Sequence, residues 1–282
     1  MLGLPRKAFG VGPAGGEITL MNNEFAFLKD LVSLYGVSGN EGEVREYVKK
    51  QAQPLADEIT VDALGNLIAF KKGRRPGKKI MLAAHMDEVG FIITGHSDNG
   101  TLKFATVGGI DDRILPGKKV LVGKKALPGV IGFKPVHLVE KEEANKVVKI
   151  KNLYIDIGAD SKNDAEKLVQ RGEYACFTGE YAEMGNCIKA RALDNRAGCA
   201  LLLEILKNRY DFDLYCCFTV QEEVGLRGAQ AASWRIAPDL AIIVETTTCG
   251  DVAGVEKHEY STELGKGPAL TVMDRTTISD RG

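Results

Sequence analysis

The chain has 282 residues, 44% of them hydrophobic and 27% charged, with a formal net charge of −1. That length supplies one or two packed domains, and the near-neutral balance leaves no global field to draw nucleic acid or an anionic membrane surface. No apolar run approaches the length of a bilayer span, so neither nucleic acid nor membrane is expected as a partner. The six cysteines, Cys176, Cys187, Cys199, Cys216, Cys217 and Cys249, include no C-x-x-C pair. They read as reduced thiols of a cytoplasmic protein, not as a disulfide framework or a zinc ribbon.

Residues 1–20 are broken by Gly and Pro and read as a disordered extension, with Met21 as a candidate start. Phe25, Leu28, Leu31, Val32 and Tyr35 recur at helical spacing, and Gly36 ends that helix. Ser38-Gly-Asn-Glu41 has the spacing of a capping box and opens a second helix carrying Val44, Tyr47 and Val48. Ile59–Phe70 reads as two strands joined at a turn. A basic loop, 71–79, then leads into the apolar run Ile80–Ala84, which ends in His85-Met-Asp87. Residues two apart on a strand share a face, so an imidazole and a carboxylate emerge together at this strand end.

From about Phe91 to Glu180 the texture changes to short β-rich runs separated by Gly and Pro, with one helical pattern at 163–170. Turn signals at intervals of roughly ten residues read as a small β-barrel or sandwich. Alternating strands and helices resume after it. Asp194 stands at the N-cap position of a helix running from Ala197 to Lys207. The buried-strand run Leu214–Val220 ends in Gln221-Glu222-Glu223, and a second such run, Leu240–Val244, ends in Glu245. The fold class expected is therefore α/β, a mostly parallel sheet with helices on both faces, interrupted by an inserted barrel-like β domain. The boundaries expected are 21–90 and 181–282 for a discontinuous catalytic domain and 91–180 for the insert.

In open α/β sheets, functional groups gather beyond the carboxyl ends of the strands. His85, Glu222, Glu223 and Glu245 all fall at such ends. Adjacent glutamates repel each other, and a cation beside them relieves that cost. One His, one Asp and several Glu form an oxygen-rich donor set suited to Zn²⁺, Co²⁺ or Mn²⁺. An aspartate is able to bridge two ions about 3.5–4 Å apart, and a glutamate off the metals is able to take a proton from the attacking water.

The ordered motifs His85-x-Asp87, Leu193-Asp194-Asn195-Arg196, Gln221-Glu222-Glu223-Val224-Gly225 and Glu245 resemble the glutamyl aminopeptidase family of dinuclear metallopeptidases. That family includes the tetrahedral (TET) aminopeptidases, and some relatives carry an endoglucanase label. Gly36–Glu41, Asp62–Asn66 and Ile155–Ser161 match it too, so the likeness runs from about Phe25 to the last residue. The resemblance implies two divalent ions, Zn²⁺ or Co²⁺ with Mn²⁺ as a further candidate. It implies that His85 and Glu245 hold one ion, Glu223 helps hold the second, and Asp194 bridges them. Glu222 is then the general base and Asp87 orients His85. Peptide substrates, a homo-oligomer of up to twelve copies assembled through the β insert, and a cytoplasmic location are likewise implied. The family pattern includes one more metal-ligating histidine towards the C-terminus. His258 follows Glu245 too soon to match it, and His96 and His137 lie in the insert, where surface or core roles are expected. The chain is accordingly read as C-terminally truncated and weakly active or inactive. The alternatives are an N-acyl amino acid deacylase, a glycosidase, or an inactive assembly fragment.

Overall fold

The computed structural model describes residues 2–3, 26–75, 77–138 and 146–273. The extension expected at 1–20 lies outside the described residues apart from β1 (Leu2–Gly3). In chain order there follow α1 (Ala26–Leu31), α2 (Gly42–Ala52), β2 (Glu58–Val61), β3 (Leu67–Lys71) and β4 (Lys79–His85). Next come β5 (Gly90–His96), β6 (Leu102–Val107), β7 (Lys119–Val122), β8 (Leu127–Gly132), β9 (Tyr154–Asp156), α3 (Lys162–Leu168) and β10 (Tyr174–Phe177). The rest are β11 (Ala182–Met184), β12 (Cys187–Lys189), α4 (Leu193–Ile205), β13 (Asp213–Thr219), α5 (Arg227–Ile236) and β14 (Leu240–Ile243).

The principal sheet has five strands in the order β14-β4-β13-β3-β2. β4 pairs in parallel with β13 and with β14, whereas β3 and β2 run antiparallel. The sheet is thus mixed, its parallel part confined to the three strands that end at the functional edge. The antiparallel pair follows from its tight turn. The Asp62 carboxylate accepts from the amides of Leu64, Gly65 and Asn66, and Gly65 adopts φ +108°. An Asx turn of this kind reverses the chain too quickly for a crossover helix.

Helices cover both faces. Leu82, Ala84, Leu214, Cys216 and Phe218 form one core with α1, α2 and α4. On α2 the buried residues are Val44, Val48 and Ala52, a single stripe at four-residue spacing. Fully burying each such Val or Leu contributes roughly 1.5–3 kcal/mol. Met81, Ala83 and Cys217 face the other way and pack with Ala232 and Ile236 of α5. Strand alternation therefore divides β4 and β13 between two cores.

β5 to β10 close into a barrel in the order β10-β5-β6-β9-β8-β7. Its core holds Phe91, Ile93, Leu102, Val120, Ile131 and Ile155, and the Phe91 and Phe104 rings meet edge to face. α3 packs against it, with the Ser161 hydroxyl accepting from the Asp164 amide as N-cap.

Three sequence expectations change. Ser38 and Glu41 form no capping box. Glu41 occupies the N-cap position of α2 without capping it, and the Ser38 hydroxyl donates to Asp87 instead. Asp194 is not the cap of α4. Its backbone and that of Asn195 are non-helical, and the Asn195 Oδ1 accepts from the Gly198 amide. β14 is not buried. It is the edge strand, and Leu240, Ile242 and Ile243 are about half exposed. An apolar run reads alike at the centre and at the edge of a sheet, because only pairing distinguishes the two.

Candidate metal centre

Strand register assembles the site. Thr219 pairs with His85 across β13 and β4, which sets Gln221-Glu222-Glu223 just beyond the imidazole. Ile243 pairs with Ala83 across β14 and β4, so Glu245 comes level with His85 on the other side. The Asn195 side-chain amide donates to the Val244 carbonyl at 2.8 Å, tying the start of α4 to the end of β14. Gly198 makes this seam possible. A Cβ there would lie 2.3 Å from Asn195 Oδ1 and 2.8 Å from the Val244 carbonyl. Asp194 is thereby held over the same edge.

The result is one imidazole nitrogen surrounded by carboxylates. His85 Nε2 lies 2.9 Å from Asp194 Oδ1, 3.6 Å from Glu245 Oε2 and 3.9 Å from Glu222 Oε2. His85, Asp194 and Glu245 offer ligand atoms within 4.8 Å of one another, and so do His85, Glu222 and Glu223. The histidine is buried, with 2% of its surface exposed, while the acids form the open side.

Asp87 lies beneath this ring with no exposed surface. Its Oδ1 accepts from the Glu222 amide at 3.0 Å, and its Oδ2 accepts from the Glu223 amide at 3.2 Å and from the Ser38 hydroxyl at 2.6 Å. His85 Nδ1 is 3.4 Å from Asp87 Oδ1 and 3.1 Å from the Asp87 carbonyl oxygen. One carboxylate thus orients the histidine and anchors the backbone of both glutamates.

The electrostatics follow from crowding. Burial opposes charge on His85, but the hydrogen bonds to Asp194 and Asp87 and the Glu245 charge outweigh it, holding the imidazole up at about 11. Burial, reinforced by the neighbouring acids, pushes Glu223 and Glu245 up to about 7 against the pull of His85. Glu222 is raised chiefly by burial. Burial also works against ionised Asp87, yet bonds from His85, Ser38 and Glu222 keep its carboxyl below the ordinary range. Protons substitute here for positive charge. A divalent cation held by the His85 nitrogen and these oxygens satisfies the same groups, so the donor set fits Zn²⁺, Co²⁺ or Mn²⁺. Among the described residues no other histidine joins either group. His96 bonds the Val169 carbonyl in the barrel.

A second buried network braces the site. Glu88 accepts from Arg191 Nη1 at 2.9 Å, from Arg196 Nη2 at 3.4 Å and from the Gly36 amide at 2.9 Å. Arg196 has no exposed surface and also donates to the Leu31 carbonyl at 2.7 Å. Beside it a cavity of about 370 Å³ lies between Val89, Gly109, Phe177, Leu193, Asp194 and Glu223. The Gly108-Gly109 turn of the barrel closes one wall. Gly108 has φ +83°, and a Cβ there would meet Val89 at 2.8 Å and Glu223 at 3.2 Å.

All six residues named from sequence, His85, Asp87, Asp194, Glu222, Glu223 and Glu245, converge on this edge. Ser38, Glu41, Glu88, Arg191 and Arg196 were not singled out as site residues. Ser38, Glu41 and Arg196 stand in segments that match the family pattern, but local capping and charge rules absorb their side chains, and Glu88 and Arg191 carry no signal of their own.

A buried imidazole facing several carboxylates at the carboxyl edge of an α/β sheet is the arrangement of the metal-dependent hydrolases. The M42 glutamyl aminopeptidase family description matches residues 65–282. The chain belongs to that family and is, with it, a metalloaminopeptidase. It is 45% identical over 256 residues to a protein of Acetivibrio thermocellus named "Putative aminopeptidase", covering 90% of this chain and 74% of that one. The TET aminopeptidase of the marine sediment archaeon Thaumarchaeota archaeon SCGC AB-539-E09 superposes with a TM-score of 0.86 at 37% identity, over 90% of this chain and 74% of that one. The Pyrococcus horikoshii TET1 peptidase, described as assembling into a tetrahedron or a large octahedral shell, superposes with a TM-score of 0.72 at 38% identity, over 81% and 72% of the two chains. Among the described residues no helix is long and apolar enough to cross a membrane.

Proposed function

We propose that this centre removes N-terminal residues from peptides with two divalent ions, Zn²⁺ or Co²⁺ with Mn²⁺ as a further candidate. His85, Asp194 and Glu245 would hold one ion, and Glu223 with Asp194 the second. The observation that carries the reading is the single His85 nitrogen facing Asp194 at 2.9 Å and Glu245 at 3.6 Å, with Glu222 and Glu223 arriving from the adjacent strand end. When bound, the ions supply Lewis acidity that polarises the scissile carbonyl and lowers the pKa of the attacking water.

The protein's own groups do the rest. Glu222 stands 3.9 Å from the His85 nitrogen, and burial raises its pKa, which makes it a stronger base than a solvated glutamate. It takes the proton of the attacking water and delivers it to the leaving amine. Asp87 fixes the imidazole through Nδ1 and keeps the two glutamates in register. A free terminal amine is able to bind a divalent ion and an acylated nitrogen is not, which separates this reading from N-acyl amino acid deacylation. The cavity beside Asp194 and Glu223 is the site for the terminal residue. The barrel serves as the assembly module of a homo-oligomer, and the free cysteines suit a cytoplasmic peptidase.

Glu222→Gln keeps shape and removes the base. Turnover of aminoacyl chromogenic substrates is expected to fall at least ~10³-fold, allowing for the loss of a positioned base, while metal content measured by elemental analysis is unchanged. Undiminished hydrolysis in that variant removes Glu222 from the role. Blocked N-acetyl peptides should resist cleavage, and chelation should stop turnover until Zn²⁺ or Co²⁺ is restored. Chelator-resistant hydrolysis would refute the metallopeptidase reading.

A further inference from the structure

We infer that the Gly36–Glu41 loop is a positioning device for the metal centre, acting through Ser38 and Glu41. Two separate bonds carry this. The Ser38 hydroxyl donates to Asp87 Oδ2 at 2.6 Å, and the same oxygen accepts from the Glu223 amide. The Glu41 Oε1 accepts from the Gln221 amide at 3.2 Å and from the Gly39 amide at 2.7 Å. Both side chains are buried, each residue only 4% exposed. A solvated capping pair would not be.

The loop is itself fixed to the other side of the site. The Ser38 amide donates to the Glu88 carbonyl, the Glu88 amide to the Gly36 carbonyl, and Val37 bridges Glu88 in parallel. Its position relative to Asp87 is therefore set by backbone pairing, and Ser38 and Glu41 transmit that position to 221–223. Gln221 has φ +55°, a conformation that costs a non-glycine residue of order 1–3 kcal/mol and persists only where surroundings enforce it. The Glu41 bond to its amide, together with the Asp87 bonds to the next two amides, is such enforcement. Neither Ser38 nor Glu41 belongs to the metal-holding groups. Their action runs through Asp87 and the backbone, and supporting groups of this kind are worth about 10–100-fold in metal affinity or activity.

This inference rests on the metallopeptidase reading, so one arm of its test is independent of metal and turnover. In the full chain, amide hydrogen exchange at 221–223 is measured with and without Zn²⁺, beside Zn²⁺ affinity by chelator competition, and kcat and KM. Glu41→Ala is expected to strip protection from the Gln221 amide even without metal and to lower kcat about 10–100-fold with KM within about threefold. Glu41→Gln keeps an acceptor oxygen and should retain the protection and most of kcat. Ser38→Ala should weaken Zn²⁺ binding about tenfold, and Ser38→Thr, which keeps the hydroxyl, should restore it. Thermal midpoints establish that each variant is folded at the assay temperature, and a variant that is not is read through its conservative partner. Three outcomes overturn the inference: wild-type exchange and affinity in both alanine variants, equal losses in Glu41→Gln and Glu41→Ala, or losses that merely track the unfolded fraction. Altered exchange and affinity in a protein whose Glu222→Gln variant remains fully active would instead overturn the catalytic reading and leave the positioning bonds standing.

Discussion

Asp87 is the residue on which the centre's geometry depends most. Its two oxygens serve an imidazole, a hydroxyl and two backbone amides, all without solvent. Every one of these partners is a donor, so only an ionised carboxylate satisfies them together. Asp87→Asn puts an NH₂ where a donor already points. Leaving a buried donor unpaired costs about 1–3 kcal/mol, and the displaced groups are either the His85 ring with the Glu222 amide, on Oδ1, or the Glu223 amide, on Oδ2. The expected outcome is a fall in kcat of roughly 10²-fold, with Zn²⁺ affinity lower by about tenfold. Steady-state kinetics and metal competition check it, and wild-type values for both would show that the amides are held by the turn alone. The glutamates respond differently because burial dominates them, whereas at Asp87 the hydrogen bonds together outweigh burial. Glu223 and Glu245, pushed up to about 7, hold their protons well above the pH at which Asp87 has lost its own.

Elements bring these residues together through register, and that is why so much of the site was legible. Apolar runs mark strands, strands end at one edge, and His85, Glu222–Glu223 and Glu245 each follow such a run. What stayed hidden depended on contacts across long sequence separation. Ser38-x-x-Glu41 satisfies a local capping rule, yet its side chains serve Asp87 and Gln221. Asp and Asn are favoured alike at N-caps, so composition alone does not separate Asp194 from its neighbour. Tertiary context assigns the cap to Asn195, because only it also reaches the Val244 carbonyl. The β14 run looked buried because its composition is that of a central strand. The Asn195 bond gives an element-scale prediction. Asn195→Ala removes the α4 cap and the tie to β14, so it should cost about 1–2 kcal/mol of stability in chemical denaturation. It should also loosen Asp194 from Glu245 and weaken Zn²⁺ binding. Asn195→Asp keeps the cap but sets a buried carboxylate oxygen against the Val244 carbonyl, so it should recover only part of the stability and none of the metal affinity. Equal recovery of both would show that the cap alone positions Asp194.

At the scale of the whole molecule, the acidic edge couples folding to pH and metal. Glu223 and Glu245 are raised to about 7 in the folded chain, against about 4.3 for an unperturbed glutamate. Between those values the native state keeps protons that the unfolded state has released, so stability of the metal-free protein falls as pH rises through that window. His85 has the same sign. Its proton is retained up to about 11 in the folded chain and only to about 6.5 in the unfolded one, so its contribution is full below that lower value and lost as pH climbs to the upper one. Asp87 runs the other way, but its window lies below the ordinary carboxylate range and leaves neutral pH untouched. Metal reverses the neutral-pH trend, because it must displace these protons to bind, and its affinity therefore rises with pH. Each proton displaced makes affinity change tenfold per pH unit, which is about 1.4 kcal/mol of added stabilisation at fixed free Zn²⁺. For a chain of this size each kcal/mol moves the thermal midpoint by about 2–4 °C. The difference in midpoint between Zn²⁺-loaded and metal-stripped protein should thus widen by roughly 3–6 °C per pH unit for each proton displaced, from pH 5.5 to 7. Midpoints recorded in buffered free Zn²⁺ test this directly. The loaded curve should climb away from a stripped curve that declines, and a constant gap across that range would mean that metal enters without displacing the protons on Glu223 and Glu245.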